Sequence, residues 1–362
     1  MLIGIDASRA QKEEKTGTEN YSASIISYIA EIDKSNKYVL YTNKEWMDVL
    51  PVNFRVKQLK NKRLWTLAGL SKEMLKNSPD ILFIPAHVMP YIFPKKTIVT
   101  IHDLAFKYFP KAYSLSSRLY LDWSTKFAVE HANKIIAVSQ NTKNDLVRFY
   151  GVDPEKVFVV YHGIDQDYLT FDSKPDDKLI LKKFGINRPY ILFVGRLEPR
   201  KNVATLLKAF SMLTKEKKLS HTLVLVGAEQ KNSNIQKIID REKIGDRVIR
   251  LGYILKKDLL PIFSNADIFV YPSLYEGFGF PILEAFSLGV PVIASNASSI
   301  PEVAGDAALL CDTSKPFTLA STMSRLLHDQ NLKSRLIEKG KHQVFKFSWQ
   351  EAAKKTLEVI CG

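Results

Sequence analysis

The sequence predicts an α/β protein with two doubly wound parallel-sheet domains that face each other across a cleft. Short apolar runs alternate with amphipathic segments along the whole chain, which is typical of parallel sheets covered by helices on both faces. The length of 362 residues is roughly two to three times that of one ordinary domain. A polar, turn-prone stretch at residues 171–178 is the best candidate for a linker. Ligands of such sheets bind beyond the carboxyl ends of the strands, so the cleft is the expected active site.

Each predicted strand is a short, nearly all-apolar run. In the first half these runs are Leu2–Ile5, Tyr38–Tyr41, Ile81–Ile84, Thr97–Ile101, Ile135–Val138 and Val157–Val160. In the second half they are Tyr190–Val194, Thr222–Val226, Val248–Leu251, Ile268–Tyr271 and Val292–Ala294. Helices are predicted between them, most clearly at Ser114–Ala132, at Asn141–Tyr150 and after Asn202, where one apolar stripe joins Val203, Leu206, Leu207, Phe210 and Leu213.

Composition places the chain among soluble globular proteins. Apolar residues make up 46% and charged residues 25%, and the two cysteines, Cys311 and Cys361, exclude a disulfide framework. The first apolar run ends at Asp6, which is too early for a signal peptide, and the longest uncharged stretch, Ala285–Pro301, is too short and too polar for a membrane span. We therefore predict a cytoplasmic protein and leave open a peripheral position at the inner membrane face.

The positive charge of the chain suits an anionic partner. There are 52 Lys and Arg residues against 38 Asp and Glu residues, a formal net charge of +14. No nucleic-acid-binding motif accompanies this charge, so we predict no nucleic-acid partner. A basic run between Arg55 and Arg63 precedes Trp65 and has two interpretations. It is either a contact with an acidic membrane surface through an exposed tryptophan, or a solvated edge strand followed by a core tryptophan.

A cationic loop follows the strand Tyr190–Val194. It begins with Gly195 and Arg196, ends with Lys201 and Asn202, and leads into the striped helix. Glycine lets the backbone approach a ligand, and a helix N-terminus offers free N–H groups with a partial positive charge. Arg196 and Lys201 therefore stand where an anion such as a diphosphate would bind. An ordinary charged surface loop is the alternative that spacing alone leaves open.

A second candidate segment follows the strand Ile268–Tyr271. It passes through the glycine-rich Gly277–Gly279 and enters a helix near Pro281, with Glu276 on the loop and Glu284 about one turn into the helix. Carboxylates accept hydrogen bonds and sugar hydroxyls donate them, so the two side chains can hold two groups of hydroxyls on one ligand. The structural alternative is a solvated Glu276 and a Glu284 that stabilises the helix start.

These segments resemble those of retaining GT-B glycosyltransferases of family four. The resemblance is strong over residues 190–310, and weaker in the first half, where Thr16–Glu19, His102-Asp103 and Gly163-Ile164-Asp165 match. The segments of the second half that match the family are Gly195-Arg196-Leu197, Lys201-Asn202, Glu276-Gly277-Phe278-Gly279, Glu284, Gly289–Ser295 and Pro301-Glu302.

The resemblance implies a fold and a class of partners. It implies two Rossmann-like domains, a nucleotide-sugar donor and a saccharide or lipid-linked acceptor, and we predict no cofactor. In the resembling fold the last helix returns to the first domain. We therefore predict an N-terminal, acceptor-side domain of residues 1–168 plus 345–362 and a C-terminal, donor-binding domain of residues 169–344.

The resemblance also assigns roles in donor binding. Arg196 and Lys201 would bind the diphosphate and stabilise the charge that develops on it as the sugar leaves. Glu276, with the amides of Gly277, Phe278 and Gly279, would hold hydroxyls of the transferred sugar. Glu284 would hold the ribose hydroxyls.

Four further residues receive roles from the family pattern. Tyr253 and Ile254 lie where the family cradles the base. His102, expected at the carboxyl end of a strand, would contact the donor sugar near the reacting carbon, with a satisfied loop histidine as the alternative. Gly17, in a Thr16-x-x-Glu19 capping box, would let the first loop approach the phosphate and the acceptor.

Retention of configuration would classically need a carboxylate nucleophile, and no residue of the N-terminal half is well placed for that role. The hypothesis is attack on the same face, with the leaving phosphate oxygen accepting the proton of the acceptor hydroxyl. No Asp-x-Asp pair presents itself as a metal clamp, and Asp176-Asp177 lie in the linker. We therefore predict activity without a divalent metal.

The sequence leaves the sugar, the base and the acceptor open. Relatives with His102-Asp103 and the Tyr275–Gly279 loop lean toward mannosyl transfer, so a guanosine diphosphate hexose ranks slightly above a uridine one. A nucleotide-sugar 2-epimerase and a non-catalytic nucleotide-sugar-binding subunit are the alternatives. The chain departs from many relatives at His162 and in the longer, charged loop 7–16, so acceptor contacts cannot be transferred.

Overall fold

The computed structural model describes residues 1–11, 17–60, 65–174, 177–187, 189–215, 219–230 and 233–362. The chain divides into two compact units, Met1–Gly163 with Phe347–Gly362 and Ile164–Lys346. The boundaries expected from the sequence, after 168 and after 344, lie a few residues away from these. Within the described ranges, no helix combines the length and apolarity needed to cross a bilayer.

The first unit is built on a seven-stranded sheet whose paired strands are all parallel. Its order is β3-β2-β1-β4-β5-β6-β7, and the strands are Leu2–Asp6 (β1), Lys37–Thr42 (β2), Phe54–Gln58 (β3), Ile81–Ile84 (β4), Lys96–Ile101 (β5), Lys134–Ala137 (β6) and Val157–Val159 (β7). Its first helices are Gly17–Ile32 (α1), Ser71–Lys76 (α2), Ala105–Tyr108 (α3), Leu115–His131 (α4) and Gln140–Tyr150 (α5), with a π-helical turn at Trp65–Leu70 and 3-10 turns at Pro110–Ala112 and Pro154–Lys156.

The second unit has a six-stranded sheet of the same parallel kind, in the order β10-β9-β8-β11-β12-β13. Its strands are Tyr190–Val194 (β8), Thr222–Val226 (β9), Val248–Gly252 (β10), Ile268–Tyr271 (β11), Val292–Ser295 (β12) and Ala308–Cys311 (β13). Its helices are Gln166–Leu169 (α6), Asp177–Lys183 (α7), Val203–Lys215 (α8), Ile235–Glu242 (α9), Lys256–Ser264 (α10), Phe280–Ser287 (α11), Ile300–Ala304 (α12), Pro316–His328 (α13) and Gln330–Val344 (α14), with 3-10 turns at Pro199–Lys201 and Gly245–Arg247. Trp349–Cys361 (α15) then completes the first unit.

The fold class predicted from the sequence is confirmed, because strands and helices alternate and both sheets are parallel. Central strands such as β4 are buried at every position, and the predicted stripe of α8 packs into the core through Leu206, Leu207 and Phe210. Two edge strands, β3 and β13, were absent from the strand predictions. In β3 only Phe54 is buried, and Arg55 and Lys57 interrupt any apolar run, whereas β13 is a short apolar run that the strand predictions missed.

The basic segment begins in a solvated edge strand, Phe54–Gln58. In β3 only Phe54 is buried, and the Trp65 side chain lies in the core of the first unit. The interpretation with an exposed, membrane-contacting Trp65 is therefore wrong. Lys62, Arg63 and Leu64 lie outside the described residues.

The last helix, α15, packs against α1, where the rings of Tyr21 and Trp349 are 6.0 Å apart. The chain after β7 passes so close to the start of α15 that a Cβ on Gly163 would lie 2.1 Å from the amide nitrogen of Trp349. Glycine is therefore required at this crossing, which explains the Gly-Ile-Asp step in physical terms.

Candidate active site

Three glycines stand at the carboxyl ends of neighbouring strands in the second unit. Gly195 follows β8, Gly227 follows β9 and Gly252 ends β10. The amide of Gly227 donates to the carbonyl oxygen of Gly252 at 2.7 Å, so the pairing continues past the strands. A Cβ at Gly227 would lie 2.1 Å from the carbonyl oxygen of Gly195, and its φ is +136°, so only glycine fits there. This edge of the sheet therefore presents bare backbone beside Arg196.

The two predicted anion-binding cations have different surroundings. Arg196 is exposed, and its guanidinium has no hydrogen bond or ion pair with any residue that the structure describes. Lys201 is buried at the end of the 3-10 turn Pro199–Lys201. Asn202 follows with φ +56° and donates its Nδ2 to the Thr313 carbonyl oxygen at 2.7 Å, which fixes the entry to α8. Of the two cations, Arg196 can meet a ligand without giving up a contact.

Lys201 forms a buried ion pair with Glu276. Its Nζ lies 2.5 Å from Oε1 of Glu276 and also donates to the hydroxyl of Tyr271 at 2.9 Å. Arg200 binds the other carboxylate oxygen, with its Nη1 3.0 Å from Oε2 of Glu276, while its Nε lies 2.6 Å from Oε1 of Glu198. The structure thus pairs two residues with different predicted ligands, since Lys201 was assigned to the diphosphate and Glu276 to the transferred sugar.

This network determines the charge state of Glu276. Burial by itself would raise the pKa of the carboxyl, but the charges of Lys201 and Arg200 outweigh it and lower the pKa to about 2. Burial lowers the pKa of Lys201, and the charge of Glu276 opposes that shift. Glu276 is therefore ionised at neutral pH, and both of its oxygens act as hydrogen-bond acceptors.

Two serines fix the loop that begins at Glu276. The Oγ of Ser298 accepts a hydrogen bond from the Glu276 amide at 2.8 Å. The hydroxyl of Ser299 lies 2.9 Å from the carbonyl oxygens of both Glu276 and Phe278, to which it can donate. The side chain of Phe278 is buried, so the ring anchors the loop in the core. Hydrogen bonds and burial within the second unit therefore stabilise the loop conformation.

The glycines of this loop leave two backbone donors available. Gly277 and Gly279 are both buried, and the amide of neither has a hydrogen-bond acceptor among the described residues. Buried amides are normally paired, so these two N–H groups are suited to a ligand acceptor. Helix α11 begins directly after Gly279, and Pro281 lies in its first turn, as the sequence predicts.

Glu284 lies one turn into α11 and belongs to a different cluster. The hydroxyl of Tyr168 hydrogen-bonds its carboxyl group. Burial and the negative charge of Asp165 raise the pKa of Glu284 to about 7, against the opposing effects of Tyr168 and Lys256. Lys256 is itself held by two carboxylates, with its Nζ 2.9 Å from Asp165 and 2.8 Å from Asp167. Glu284 is therefore only partly ionised at neutral pH.

Tyr253 and Ile254 directly follow β10 at the glycine-marked edge. Tyr253 is exposed and Ile254 is half-buried. An exposed aromatic ring beside bare backbone can pack against the face of a planar ligand group.

His102 directly follows β5 in the first unit, as the sequence predicts. Its Nε2 lies 2.8 Å from the carbonyl oxygen of Pro85, and its ring packs against Tyr21 at 4.9 Å and His162 at 5.8 Å between centroids. Burial lowers the pKa of His102, so the ring is neutral at pH 7. When Nε2 donates its proton to Pro85, Nδ1 carries the lone pair and can accept a hydrogen bond.

Gly17 is the exposed first residue of α1. Thr16 lies outside the described residues, so the capping box stays a prediction. Glu19, the other residue of the predicted capping box, is buried, and its Oε1 lies 3.0 Å from Nη1 of Arg9. Sequence reasoning named neither residue of this pair for the site.

Sequence reasoning missed several other residues around the predicted ones. Arg200 could have been found as a third cation of its loop, and Gly227 as a glycine directly after an apolar strand. Tyr168 and Lys256 carried no signal, because only the folded chain brings them to Glu284 or Asp165. In the parts of the chain that the structure describes, no three His, Cys, Asp or Glu side chains group as metal ligands. Metal-independent activity stays a prediction.

Open parallel α/β sheets bind ligands beyond the carboxyl ends of their strands, and cations beside unpaired amides there suit an anionic ligand. The family model for glycosyl transferases group 1 matches residues 176–343, and the model for glycosyltransferase family 4 matches residues 34–168. The chain is 30% identical over 266 residues to the O-antigen chain mannosyltransferase B of Escherichia coli, covering 73% of this chain and 69% of that protein. The chain belongs to glycosyltransferase family 4, which confirms the resemblance inferred from the sequence.

Solved structures identify the fold as GT-B. WaaG, a glycosyltransferase involved in lipopolysaccharide biosynthesis, matches with a TM-score of 0.74 at 16% identity, covering 100% of both chains. HepE of Anabaena, in complex with UDP and glucose, matches with a TM-score of 0.75 at 18% identity, covering 100% of this chain and 99% of that one. At this identity the likeness establishes the fold and leaves the substrates open.

Proposed function

We propose that the protein transfers a hexosyl group, with retention of configuration, from a nucleoside diphosphate sugar to a saccharide or lipid-linked acceptor in cell-surface polysaccharide synthesis. The mannosyltransferase among the relatives favours GDP-mannose as the donor, while the UDP and glucose of the HepE complex keep a uridine donor as the competitor. The observation that carries the proposal is the ion pair of Lys201 and Glu276 beside Arg196 and the Gly277 and Gly279 amides.

The diphosphate is the proposed ligand of Arg196 and Lys201. An ammonium group has three N–H donors, and Lys201 uses two of them on Glu276 and Tyr271, which leaves one for a phosphate oxygen. Arg196 supplies its guanidinium from the surface. Both cations stabilise the negative charge that grows as the sugar leaves, so their interaction is stronger in the transition state than in the ground state.

The transferred sugar is the proposed ligand of Glu276. Because its pKa is about 2, the carboxylate is ionised and accepts hydrogen bonds from sugar hydroxyls while its pairing with Lys201 and Arg200 fixes its position. The amides of Gly277 and Gly279 and the loop backbone at Phe278 add donors. His102 is assigned to the donor sugar near the reacting carbon.

The nucleoside is the proposed ligand of Glu284, Tyr253 and Ile254. Glu284 accepts hydrogen bonds from the ribose hydroxyls in its ionised form, and the hydroxyl of Tyr168 holds the carboxylate in place. Tyr253 and Ile254 pack against the base. Gly17 lets the backbone of the first loop approach the phosphate and the acceptor.

The proposed reaction takes place on one face of the sugar. The bond between the anomeric carbon and the phosphate oxygen breaks, and the acceptor oxygen bonds to the same carbon from the same side. The acceptor proton passes to the leaving phosphate oxygen, so atoms and charges balance without an enzyme nucleophile. Cations and positioning are then the protein's whole contribution to the chemistry.

A ligand screen followed by product analysis tests this function. Thermal-shift measurements with GDP, UDP and their hexose conjugates should show a larger stabilisation by the true donor, because a ligand that binds only the folded state raises Tm. Incubation of that donor with and without saccharide acceptors then separates the alternatives. An epimerase changes the donor without an acceptor, and a binding subunit changes neither compound. If no nucleoside diphosphate stabilises the protein, the proposed donor site is wrong.

A further inference from the structure

Helix α4 in the first unit has apolar residues on its solvent side. Its inner face is buried through Ser124, Thr125, Ala128 and Val129. On the outer side, Leu115, Leu119 and Trp123 recur every four residues and therefore form one line along the helix, which ends at Phe127 beside the core. Leu115 and Leu119 are 63% and 58% exposed, so the core does not account for this line.

A neighbouring loop extends this surface. Tyr91 and Ile92 lie between β4 and β5, and Tyr91 is 55% exposed. The ring of Tyr91 lies 5.8 Å from Trp123 and 5.9 Å from Phe127, and Tyr120 lies 6.0 Å from Trp123. We define the α4 patch as Tyr91, Ile92, Leu115, Leu119, Tyr120 and Trp123. Adjoining exposed apolar residues of this kind mark a surface that a partner covers.

Cations accompany the patch. Between Tyr91 and Lys126 the sequence contains two acidic residues, Asp103 and Asp122, and six basic ones, Lys95, Lys96, Lys107, Lys111, Arg118 and Lys126. Asp122 is neutralised by Lys107 at 2.6 Å. Lys95, Lys96, Lys111 and Arg118 make no ion pair with any residue in the described ranges. The partner that fits is therefore apolar at its surface and negatively charged.

We propose that the α4 patch docks on an anionic lipid bilayer. Leucine and isoleucine side chains enter the acyl boundary, Tyr91, Tyr120 and Trp123 lie at the level of the head groups, and the nearby cations meet lipid phosphates. A second copy of this chain is a poorer occupant. A two-fold interface would bring the same cations face to face, and like charges at close range repel.

This surface differs from the basic segment at 55–63 considered from the sequence. The α4 patch lies on α4 and the loop before β5. Its aromatic residues are exposed, whereas Trp65 is buried. The proposal does not depend on the identity of the donor or the acceptor. Vesicle binding can therefore succeed or fail independently of glycosyl transfer.

Co-sedimentation of the full chain with sucrose-loaded vesicles tests the proposal. The wild type should bind vesicles of phosphatidylglycerol mixed with phosphatidylcholine, and binding should weaken in high salt or with phosphatidylcholine alone. Leu119→Glu/Trp123→Glu should lower the partition coefficient about a hundredfold, since each large apolar side chain contributes a factor of about ten. Lys111→Glu/Arg118→Glu should lower it about fivefold for each cation removed.

A matched control uses exposed apolar residues of the second unit. Leu179→Glu/Phe317→Glu introduces the same charges at residues that are 64% and 73% exposed, and vesicle binding should stay at the wild-type level. A second double variant, Leu115→Glu/Leu119→Glu, leaves all three ring contacts of Trp123 in place, so it tests the patch even if the Trp123 variant misfolds. Circular dichroism should give the same Tm for all of these proteins.

Fluorescence locates the contact. Of the four tryptophans, Trp65 and Trp349 are buried and Trp46 is half-buried outside the α4 patch, so a blue shift on adding vesicles should come mainly from Trp123 and should disappear in Trp123→Leu, which still binds. Equal loss of binding in the α4 and control variants, or no binding by the wild type, overturns the proposal. A dimer in sedimentation velocity that Leu119→Glu dissociates would assign the patch to a second copy and would equally overturn it.

Discussion

The ammonium group of Lys201 lies 2.5 Å from a carboxylate oxygen of Glu276, and both side chains are buried. The two residues are 75 positions apart in the sequence and come from the ends of different strands. Arg200 binds the second oxygen of the same carboxylate, so the pair is part of a network in which one acid serves two cations.

Replacing Glu276 should destabilise the protein more than replacing Lys201. Glu276→Gln leaves the buried Lys201 with two neutral partners, the glutamine amide and the hydroxyl of Tyr271, whereas Lys201→Met leaves Glu276 with Arg200. Loss of one partner of a buried pair costs about 3–5 kcal/mol, and we expect Glu276→Gln at the upper end. Urea unfolding of both single variants and of the double variant measures this, and the double variant should be more stable than Glu276→Gln. If all three variants unfolded with the free energy of the wild type, the ion pair would be energetically unimportant.

Arg196→Ala should separate catalysis from stability. Arg196 is exposed and makes no described contact, so Tm should not change. Turnover should fall about a hundredfold, since a hydrogen bond to a charged group contributes about 1.5–3 kcal/mol. Lys208→Ala, which removes an exposed cation from α8 of the same unit, is the control and should keep full activity. Normal turnover by Arg196→Ala would contradict the proposed diphosphate site.

Donor binding should strengthen as pH rises through about 7. The pKa of Glu284 is raised to about 7, and the ionised form is the one proposed to accept the ribose hydroxyls. Tyr168→Phe removes a hydrogen bond that lowers this pKa, so the midpoint should move to higher pH. Glu284→Gln should weaken binding and remove this pH dependence. Isothermal titration with the nucleoside diphosphate between pH 6 and 8 provides the measurement, and a pH dependence that Glu284→Gln keeps would place its origin elsewhere.

The ionisation of Glu284 should also affect stability: donor binding strengthens as the pH rises, but the free energy of unfolding falls. The folded-state pKa of Glu284 lies above its ordinary value, so the unfolded state ionises first as pH rises. The free energy of unfolding should therefore decrease between about pH 4.5 and 7 relative to Glu284→Gln.

Gly227→Ala should damage the strand edge more than an ordinary glycine substitution. Its Cβ would lie 2.1 Å from the Gly195 carbonyl oxygen, at φ +136°. We expect a loss of about 2–5 kcal/mol in the free energy of unfolding, and a higher KM if the loop before Arg196 shifts. Gly151→Ala is the matched control, because it has φ +64° and open space around its Cβ, and should cost only about 1–2 kcal/mol. Similar costs at both positions would remove the steric argument.

Activity should persist in a chelator. The proposed mechanism places Arg196 and Lys201 where a metal would otherwise neutralise the diphosphate. Turnover of the enzyme with its donor and acceptor, measured with and without EDTA, should agree within about twofold. Loss of activity that magnesium restores would show that the cations alone are insufficient.

The central strands and the α8 stripe were predictable because burial on both sides demands continuous apolar runs, and those are visible in sequence. Strand β3 was not predicted because charged residues alternate through it and only Phe54 is buried, whereas the short apolar strand β13 was simply missed. The candidate site shows the same division. Gly195, Arg196, Lys201, Glu276 and Glu284 stood out by type and spacing, while Arg200, Gly227 and Tyr168 gained importance only from their neighbours in space.

The class of fold, the family and the loops proposed to carry the chemistry could be inferred from sequence, because periodicity and short-range spacing are properties of neighbouring residues. The pairing of Lys201 with Glu276, the raised pKa of Glu284 and the burial of Trp65 became visible only in the folded chain. Charge state and burial depend on groups that are remote along the chain, and the folded structure alone brings those groups within reach of one another.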